Sequence, residues 1–447
     1  MLLTIEKLIY GGDGLARLPA GSPNDERGRG KAVFLPFVLT GEKVEARITQ
    51  QKSGFARAQA ESIVEASPQR IAPACPYFGS CGGCHYQHST YEHQLEIKQE
   101  ILREAFRRTA KLESLPEIQV HPSPPWNYRN RSRLQVQTAP TFSAGYFKMA
   151  SHALLAVEQC PISSPLINRG IATLWQSGRA GKVPAGVAEV EFFADAEDSR
   201  MLVEISCSPD SRRAAVRAWA EDLQAAMPEI AGVVAFRVAN PGAKRPPEKF
   251  LSVGADHLIY HTSKSAYRVS AGSFFQTNRH LTDELVRIVT EGQSGELALD
   301  LYAGAGLFST ALGDFHHTVS VEMSQTSSAD LSYNLISNGE TVQATAEQYL
   351  ARSGNRERVG KGAILPHILH TPDLAVVDPP RSGLGERVAR LLATLGAPRV
   401  VYVSCDPATL ARDLLILLEQ GYRIEQVHLV DLFPQTYHLE TVAHLAR

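Results

Sequence analysis

The sequence predicts an α/β protein in three parts: a small β-barrel over 1–67, a β-rich segment over 68–263, and an open, mostly parallel sheet over 264–447. Three observations predict it. From about residue 264 the apolar runs LALDLY, TVSVEM, DLAVVD and RVVYVS each end in a loop and lead towards helix-like segments, as in a parallel sheet. The first 67 residues hold short alternating runs joined at glycine turns. Between the two lies a tight cysteine spacing, C-x5-C-x2-C, at Cys75, Cys81 and Cys84.

A chain of 447 residues is long for one domain. A net charge of −2 gives no global attraction to nucleic acid, so any such surface is local. No apolar run reaches the length of a membrane span and no secretory signal leads the chain, which points to the cytoplasm. There the six cysteines are not expected to form a disulfide framework.

In the barrel, TIEKLIYGGDGLARL alternates around a Gly-rich turn, KAVFLPFVLTGEKVEARIT supplies two strands joined at Thr40-Gly41-Glu42, and ARAQAESIVEAS supplies another. Five such strands suit an oligonucleotide-binding barrel. Ser89-Thr90-Tyr91-Glu92 has the form of a capping box. It opens a helix (89–111) with Leu95, Ile101, Leu102 and Phe106 on its apolar face and Lys98 elsewhere, expected to pack on the 264–447 domain. Residues 115–262 read as strands and loops with a helix near 210–227, and 352–362 as a surface loop. PPWNYRNRSRLQVQ interleaves Trp126 and Tyr128 with Arg129, Arg131 and Arg133, aromatics for unpaired bases and cations for phosphates, or equally the wet face of a strand.

Chemistry gathers at the strand ends. In LALDLYAGAGLFS a strand runs into Asp300, then Gly304 and Gly306, with a helix expected from Leu307. Glycines there let the backbone approach a ligand, and Glu322, about twenty residues on, suits ribose hydroxyls. The dinucleotide pattern is incomplete because Ser309 stands where a third glycine belongs, which favours an adenosine without phosphates, such as S-adenosylmethionine. Asp378 precedes a rigid Pro379-Pro380 turn, and Cys405 sits where a strand meets the helix behind Pro407. The dipole of that helix would favour a thiolate and Asp406 would oppose it. The terminal DLFPQTYHLETV offers His438 and Glu440 for proton transfer. A thiol and a carboxylate beside a methyl donor suit methylation of a pyrimidine at C5.

GGDGLAR, CPYFGSCGGCHYQ, YRNR, SFFQTN, LDLYAGAG, DPPRSG, SCDPATLARDL and DLFPQTYHLE stand in the order found in the RNA 5-methyluridine methyltransferases, which the sequence resembles over nearly its whole length. It resembles most the 23S rRNA branch with a TRAM barrel and an iron–sulfur cluster. That implies a class I, Rossmann-like methyltransferase domain, Cys405 as nucleophile and Glu440 as base. It also implies that Gln276, Tyr302, Glu322 and Asp378 line the donor and uracil pocket. Cys75, Cys81, Cys84 and Cys160 suffice for zinc or a cubane by number, and the resemblance chooses a [4Fe-4S] cubane. Cys207 reads as core. The expected partner is a loop uridine of 23S rRNA, with no membrane and no obligate protein partner. The alternatives are the T-loop uridine of tRNA, a catalytically idle RNA-binding protein on the same scaffold, and a small-molecule methyltransferase, which fits poorly with the barrel.

Overall fold

The computed structural model describes residues 1–18, 30–238, 248–335, 339–354 and 371–447. Among these the N-terminal unit holds β1 (Leu2–Thr4), β2 (Lys7–Leu8), β3 (Asp13–Arg17), β4 (Ala32–Pro36), β5 (Lys43–Gln51) and β6 (Phe55–Glu65). They form one sheet in the order β1-β5-β6-β4-β3-β2, a six-stranded half-barrel in place of the expected five strands. The extra strand arises because the first run changes partner midway. Ile5 donates to the Glu42 carbonyl, whereas Glu6 turns to Leu15. Leu3, Ile5, Val33, Leu35 and Val44 fill its interior, but Leu8 and Leu39 join the core of the C-terminal sheet.

Helix α1 (Tyr91–Arg108) starts from Thr90, and the Ser89 capping box does not form. The Thr90 hydroxyl bonds to Gln69 Oε1 at 2.8 Å instead. Lys98 lies on the buried face rather than outside it. Strand β7 (Ile118–His121) follows and leaves the central segment altogether, pairing in parallel with the C-terminal sheet.

The central sheet contains β8 (Arg131–Gln137), β9 (Ser143–Phe147), β10 (Leu154–Ala156), β11 (Val187–Ala194), β12 (Met201–Cys207), β13 (Ile230–Arg237) and β14 (Glu248–Gly254). Its order is β10-β9-β8-β11-β12-β13-β14. Helices α2 (Pro165–Arg179) and α3 (Arg213–Ala226) bury Ile171, Leu174, Trp219 and Leu223 against one face, where Cys207 is also core. Phe193, Leu202 and Val234 point the other way, into a core shared with the C-terminal sheet. The hairpin β15 (His257–His261) and β16 (Ala266–Ser270) straddles the expected boundary at 263, so the boundary is no break in packing.

After α4 (Thr282–Thr290) come β17 (Gly295–Leu301), β18 (Phe315–Glu322), α5 (Gln325–Asn334), β19 (Gly339–Gln343), α6 (Ala346–Gly354), β20 (Leu374–Val377) and α7 (Gly385–Leu395). Then follow β21 (Arg399–Ser404), α8 (Pro407–Glu419), β22 (Arg423–Val430) and β23 (Glu440–Ala446). The order β19-β18-β17-β20-β21-β23-β22-β7 gives a mostly parallel sheet with β23 antiparallel between β21 and β22. Its central strands are buried on both faces. Leu299, Val319, Val377 and Tyr402 face one core, and Ala298, Val376, Val401 and Val403 the other. The helix expected after Gly306 is only a short 3₁₀ turn, Ser309–Ala311. Of the expected loop 352–362, residues 352–354 end α6 and the rest lies outside the described residues.

Candidate active site at the carboxyl edge of the sheet

Strand register brings the candidate residues together. Val321, Leu301, Val377 and Tyr402 lie in one row across β18, β17, β20 and β21. One residue further along each strand, Glu322, Tyr302 and Asp378 therefore stand side by side at the carboxyl edge. Strand β23 runs the opposite way, so its first residue is at this same edge. Ser404 pairs with Thr441, and extending that register by one places Cys405 across from Glu440.

The donor side is a cradle built by glycine. Gly304 has φ +57°, and a Cβ there would meet nothing, so its backbone faces open space. Gly306 has φ +95° and a Cβ would strike Leu331 at 2.9 Å. The Glu322 carboxylate accepts from Gly304 N at 2.9 Å and Ser324 N at 2.6 Å, which locks the loop to the next strand. Tyr302 takes a positive φ of 65°, uncommon for a bulky residue. Gln276 is buried in the loop between β16 and α4. Asp300, which the sequence reading did not choose, is fully buried behind the cradle. It accepts from the Ser309 hydroxyl at 2.5 Å, while its Oδ1 has no partner. These features fit an adenosine-type methyl donor.

Acidic groups dominate the reacting side, and burial disfavours their charged forms. Burial, with the charge of Asp300, pushes Asp378 up to about 7. Burial, with the charge of Asp378, raises Glu440 well above the carboxylate range. Burial pushes the Cys405 thiol up to about 12, and Glu440 and Asp378 push the same way. The helix dipole does not reverse this. Asp406 caps α8, its Oδ1 accepting from Ala408 N at 3.0 Å and Thr409 N at 2.9 Å, so those amides are occupied. The opposing cation is Arg381, another residue missed in the sequence although DPPRSG contains it. His438 lies 3.5 Å from Arg381 and is held neutral, its value lowered to about 3 by burial and then by that cation.

The loop before Glu440 is clamped from two sides. Gln94 of α1 accepts from Gln435 N at 2.9 Å and donates to its Oε1 at 3.0 Å. Lys98, fully buried, donates to Asp431 at 2.6 Å and to the Phe433 carbonyl at 2.9 Å. From the cysteine loop, His85 N and Tyr86 N both donate to the Gln435 carbonyl, at 2.8 and 3.0 Å. Tyr128, which the sequence offers equally for base stacking or for an ordinary strand, is core, and its hydroxyl donates to the Pro434 carbonyl at 3.0 Å. Arg131 is likewise spent on Glu191, Glu204 and the Ser273 carbonyl. Arg133 stays half-exposed beside Glu191.

Cys75, Cys81, Cys84 and Cys160 line one cavity of about 620 Å³. Burial raises the Cys75 and Cys81 thiols and takes Cys84 up to about 12, with Cys160 adding to each. Cys160 is held by Asn168, which accepts from its N–H at 2.8 Å.

The tRNA (uracil-5-)-methyltransferase family matches residues 90–447, and the TRAM domain matches residues 1–60. The chain belongs to the tRNA (uracil-5-)-methyltransferase family. It is an S-adenosylmethionine-dependent RNA uracil-C5 methyltransferase with an N-terminal TRAM domain. An uncharacterized RNA methyltransferase of Aquifex aeolicus is 32% identical over 99% of this chain and 97% of its own. The 23S rRNA (uracil(1939)-C(5))-methyltransferase of Pseudomonas fluorescens is 32% identical over 99% of this chain and 93% of its own. In the tRNA (uracil-54, C5)-methyltransferase of Pyrococcus abyssi, solved with S-adenosyl-L-homocysteine, the same fold recurs at a TM-score of 0.73. The match covers 100% of both chains at 23% identity. No helix among the described residues is long and apolar enough to cross a membrane.

Proposed function

We propose that this uracil-C5 methyltransferase modifies a loop uridine of 23S rRNA, with Cys405 as nucleophile and Glu440 as base. The observation that carries the reading is a thiol and a carboxyl in register on neighbouring strands, at the same sheet edge as the donor cradle. C5 of uracil is too weak a nucleophile to take a methyl unaided. Cys405 loses its proton to the Asp378 carboxylate, which leaves Glu440 free, and its sulfur bonds to C6, moving the C5=C6 electrons onto the C4 carbonyl. S-adenosylmethionine, when bound, supplies a sulfonium methyl, and C5 takes it. Glu440 then removes the C5 proton, the double bond reforms and the sulfur leaves as thiolate. The S–CH3 bond breaks as the C5–CH3 bond forms, so one methyl enters, and a neutral thioether and one proton depart. The burial that raises Glu440 makes its carboxylate a stronger base than a free one. Arg381 offsets the charge that develops as the sulfur ionises.

Gly304 and Glu322 hold the adenosyl part, with Gln276 and Tyr302 completing the donor wall and Asp378 facing the ring between donor and thiol. The uracil leaves its stack to reach them. Replacing Cys405 by Ala abolishes methyl transfer and leaves donor binding intact; transfer that survives removes the thiol from the reaction.

The 23S target is supported by 32% identity to the Pseudomonas 23S enzyme over 99% of this chain. Mapping 5-methyluridine in a deletion strain decides it: a loss confined to tRNA overturns the rRNA assignment. Cys75, Cys81, Cys84 and Cys160 are proposed to hold a [4Fe-4S] cluster, which there would staple the chain. Four thiols lining one cavity supply the ligand number and type that such a cluster takes. Anaerobic protein carrying stoichiometric zinc and no iron would refute this.

A further inference from the structure

The turn between β2 and β3 of the half-barrel reaches into the catalytic centre. Tyr10, at its tip, donates its hydroxyl to the Cys405 carbonyl at 3.2 Å across 395 positions of sequence. Strand β21 ends at Ser404, so the Cys405 carbonyl lies beyond the last ladder pair. The Tyr10 ring meets Tyr437 edge-on at 5.4 Å, and Tyr437 in turn packs on His85 at 4.5 Å and His438 at 4.3 Å. The approach needs glycine. A Cβ on Gly12 would sit 3.1 Å from the His85 side chain, and φ there is +92°. The half-barrel is docked firmly enough to hold this geometry. Leu8 and Leu39 are buried in the catalytic core, and Lys7 bonds to Glu104 of α1 at 2.6 Å.

We propose that Tyr10 is a positioning residue for the nucleophile, its hydroxyl fixing the Cys405 peptide so that the sulfur faces C6 of the uracil. The inference rests on Cys405 as the nucleophile. It makes the TRAM domain part of the active site as well as an RNA-binding module. Asp406 fixes the far side of the same peptide by capping α8, and Ser404 Oγ accepts from Asp406 N at 3.2 Å. Tyr10 supplies the near side. A nucleophile held at one end only samples orientations that miss the C6 face, and small misplacements lower rates steeply.

Tyr10→Phe in the full-length protein tests this, because it keeps the ring on Tyr437 and removes only the hydroxyl. The readouts are RNA dissociation constant, thermal midpoint, and single-turnover methyl transfer at saturating RNA and S-adenosylmethionine. The expected result is a saturated rate about fivefold lower, the size of one ordinary hydrogen bond, with RNA affinity within about twofold. Tyr10→Ala loses more. A saturated rate equal to wild type overturns the proposal, and so does weakened RNA binding that accounts for the whole loss. Cys405→Ala run alongside separates the two readings. Transfer surviving there removes Cys405 itself, whereas an inactive Cys405→Ala beside a fully active Tyr10→Phe removes only Tyr10.

Discussion

The Cys405 thiol is expected to be a reluctant anion in the free enzyme, and its reaction with a neutral disulfide probe measures this. Burial, with Glu440 and Asp378 behind it, takes the thiol from 9.0 to about 12. Below pH 9 the thiolate fraction is then about a thousandfold lower than for an ordinary exposed cysteine. A more basic sulfur is also a better nucleophile, and with a Brønsted slope of about 0.4–0.5 this recovers roughly twentyfold. The net expectation is reaction about fiftyfold slower near neutral pH, before any hindrance from the pocket wall. Hindrance scales the rate but leaves its pH slope alone. The rate therefore rises about tenfold per pH unit through pH 9, where a peptide thiol levels off. Glu440→Gln removes a neighbouring negative charge, so the rise shifts to lower pH and probe reaction quickens while methyl transfer fails. Quenched samples digested and mapped by mass at the Cys405 peptide give the rate at each pH. A wild-type profile that levels at or below pH 9 refutes the electrostatic reasoning, as does a Glu440→Gln profile shifted upwards.

Asp378, raised to about 7, favours the folded state while protonated, so its contribution is present at acid pH and fades as pH climbs through its folded value. Asp378→Asn should therefore raise the unfolding free energy at pH 8, by roughly 1–3 kcal/mol, and change little at pH 4, read by denaturant titration at both pH values. Lys98→Met strands Asp431 in the core and should destabilise by about 3–5 kcal/mol. Lys98→Met with Asp431→Leu should recover much of that, and a loss below 1 kcal/mol for the single change would refute the pairing argument. Gly304→Ala places a side chain at φ +57° and into open pocket space. Calorimetry should show affinity for S-adenosylhomocysteine falling more than about tenfold for a stability loss of only about 1–2 kcal/mol.

Much of the catalytic sheet is legible because its strands are continuous apolar runs. LAVV of β20 and VVYV of β21 bury every residue, and a run of that length ending at Asp378 or Ser404 announces the sheet edge. Gly304 and Glu322 are legible for the same reason, since each follows such a run. What escapes the sequence is long-range pairing. Nothing local in EIQVH says that β7 will add to a strand three hundred residues away, or that β23 will insert antiparallel. Lys98 misleads because periodicity sorts residues by polarity, whereas its burial depends on an aspartate supplied by a distant loop. Tyr128 and Arg131 mislead similarly. An alternating aromatic and basic stretch suits RNA, yet here its donors satisfy Pro434, Ser273, Glu191 and Glu204 inside the protein.

The pairing that escapes the sequence is also what makes the chemistry workable. Had β23 run parallel to its neighbours, Glu440 would open its strand at the amino edge, a full strand length from Cys405. Running antiparallel, it delivers a carboxyl across from the thiol with no loop to span. Burial raises both groups, Asp378 adds to each and Glu440 adds to the thiol, which suppresses the free thiolate and makes the carboxylate a stronger base. Such a site is reactive only when the surrounding loops hold sulfur and carboxyl in line. The clamps on Gln435 from α1 and the cysteine loop supply that constraint on the side of the base. On the proposed mechanism, a thiol this hard to ionise is protected from adventitious alkylation and oxidation until a uracil occupies the pocket and accepts its electrons.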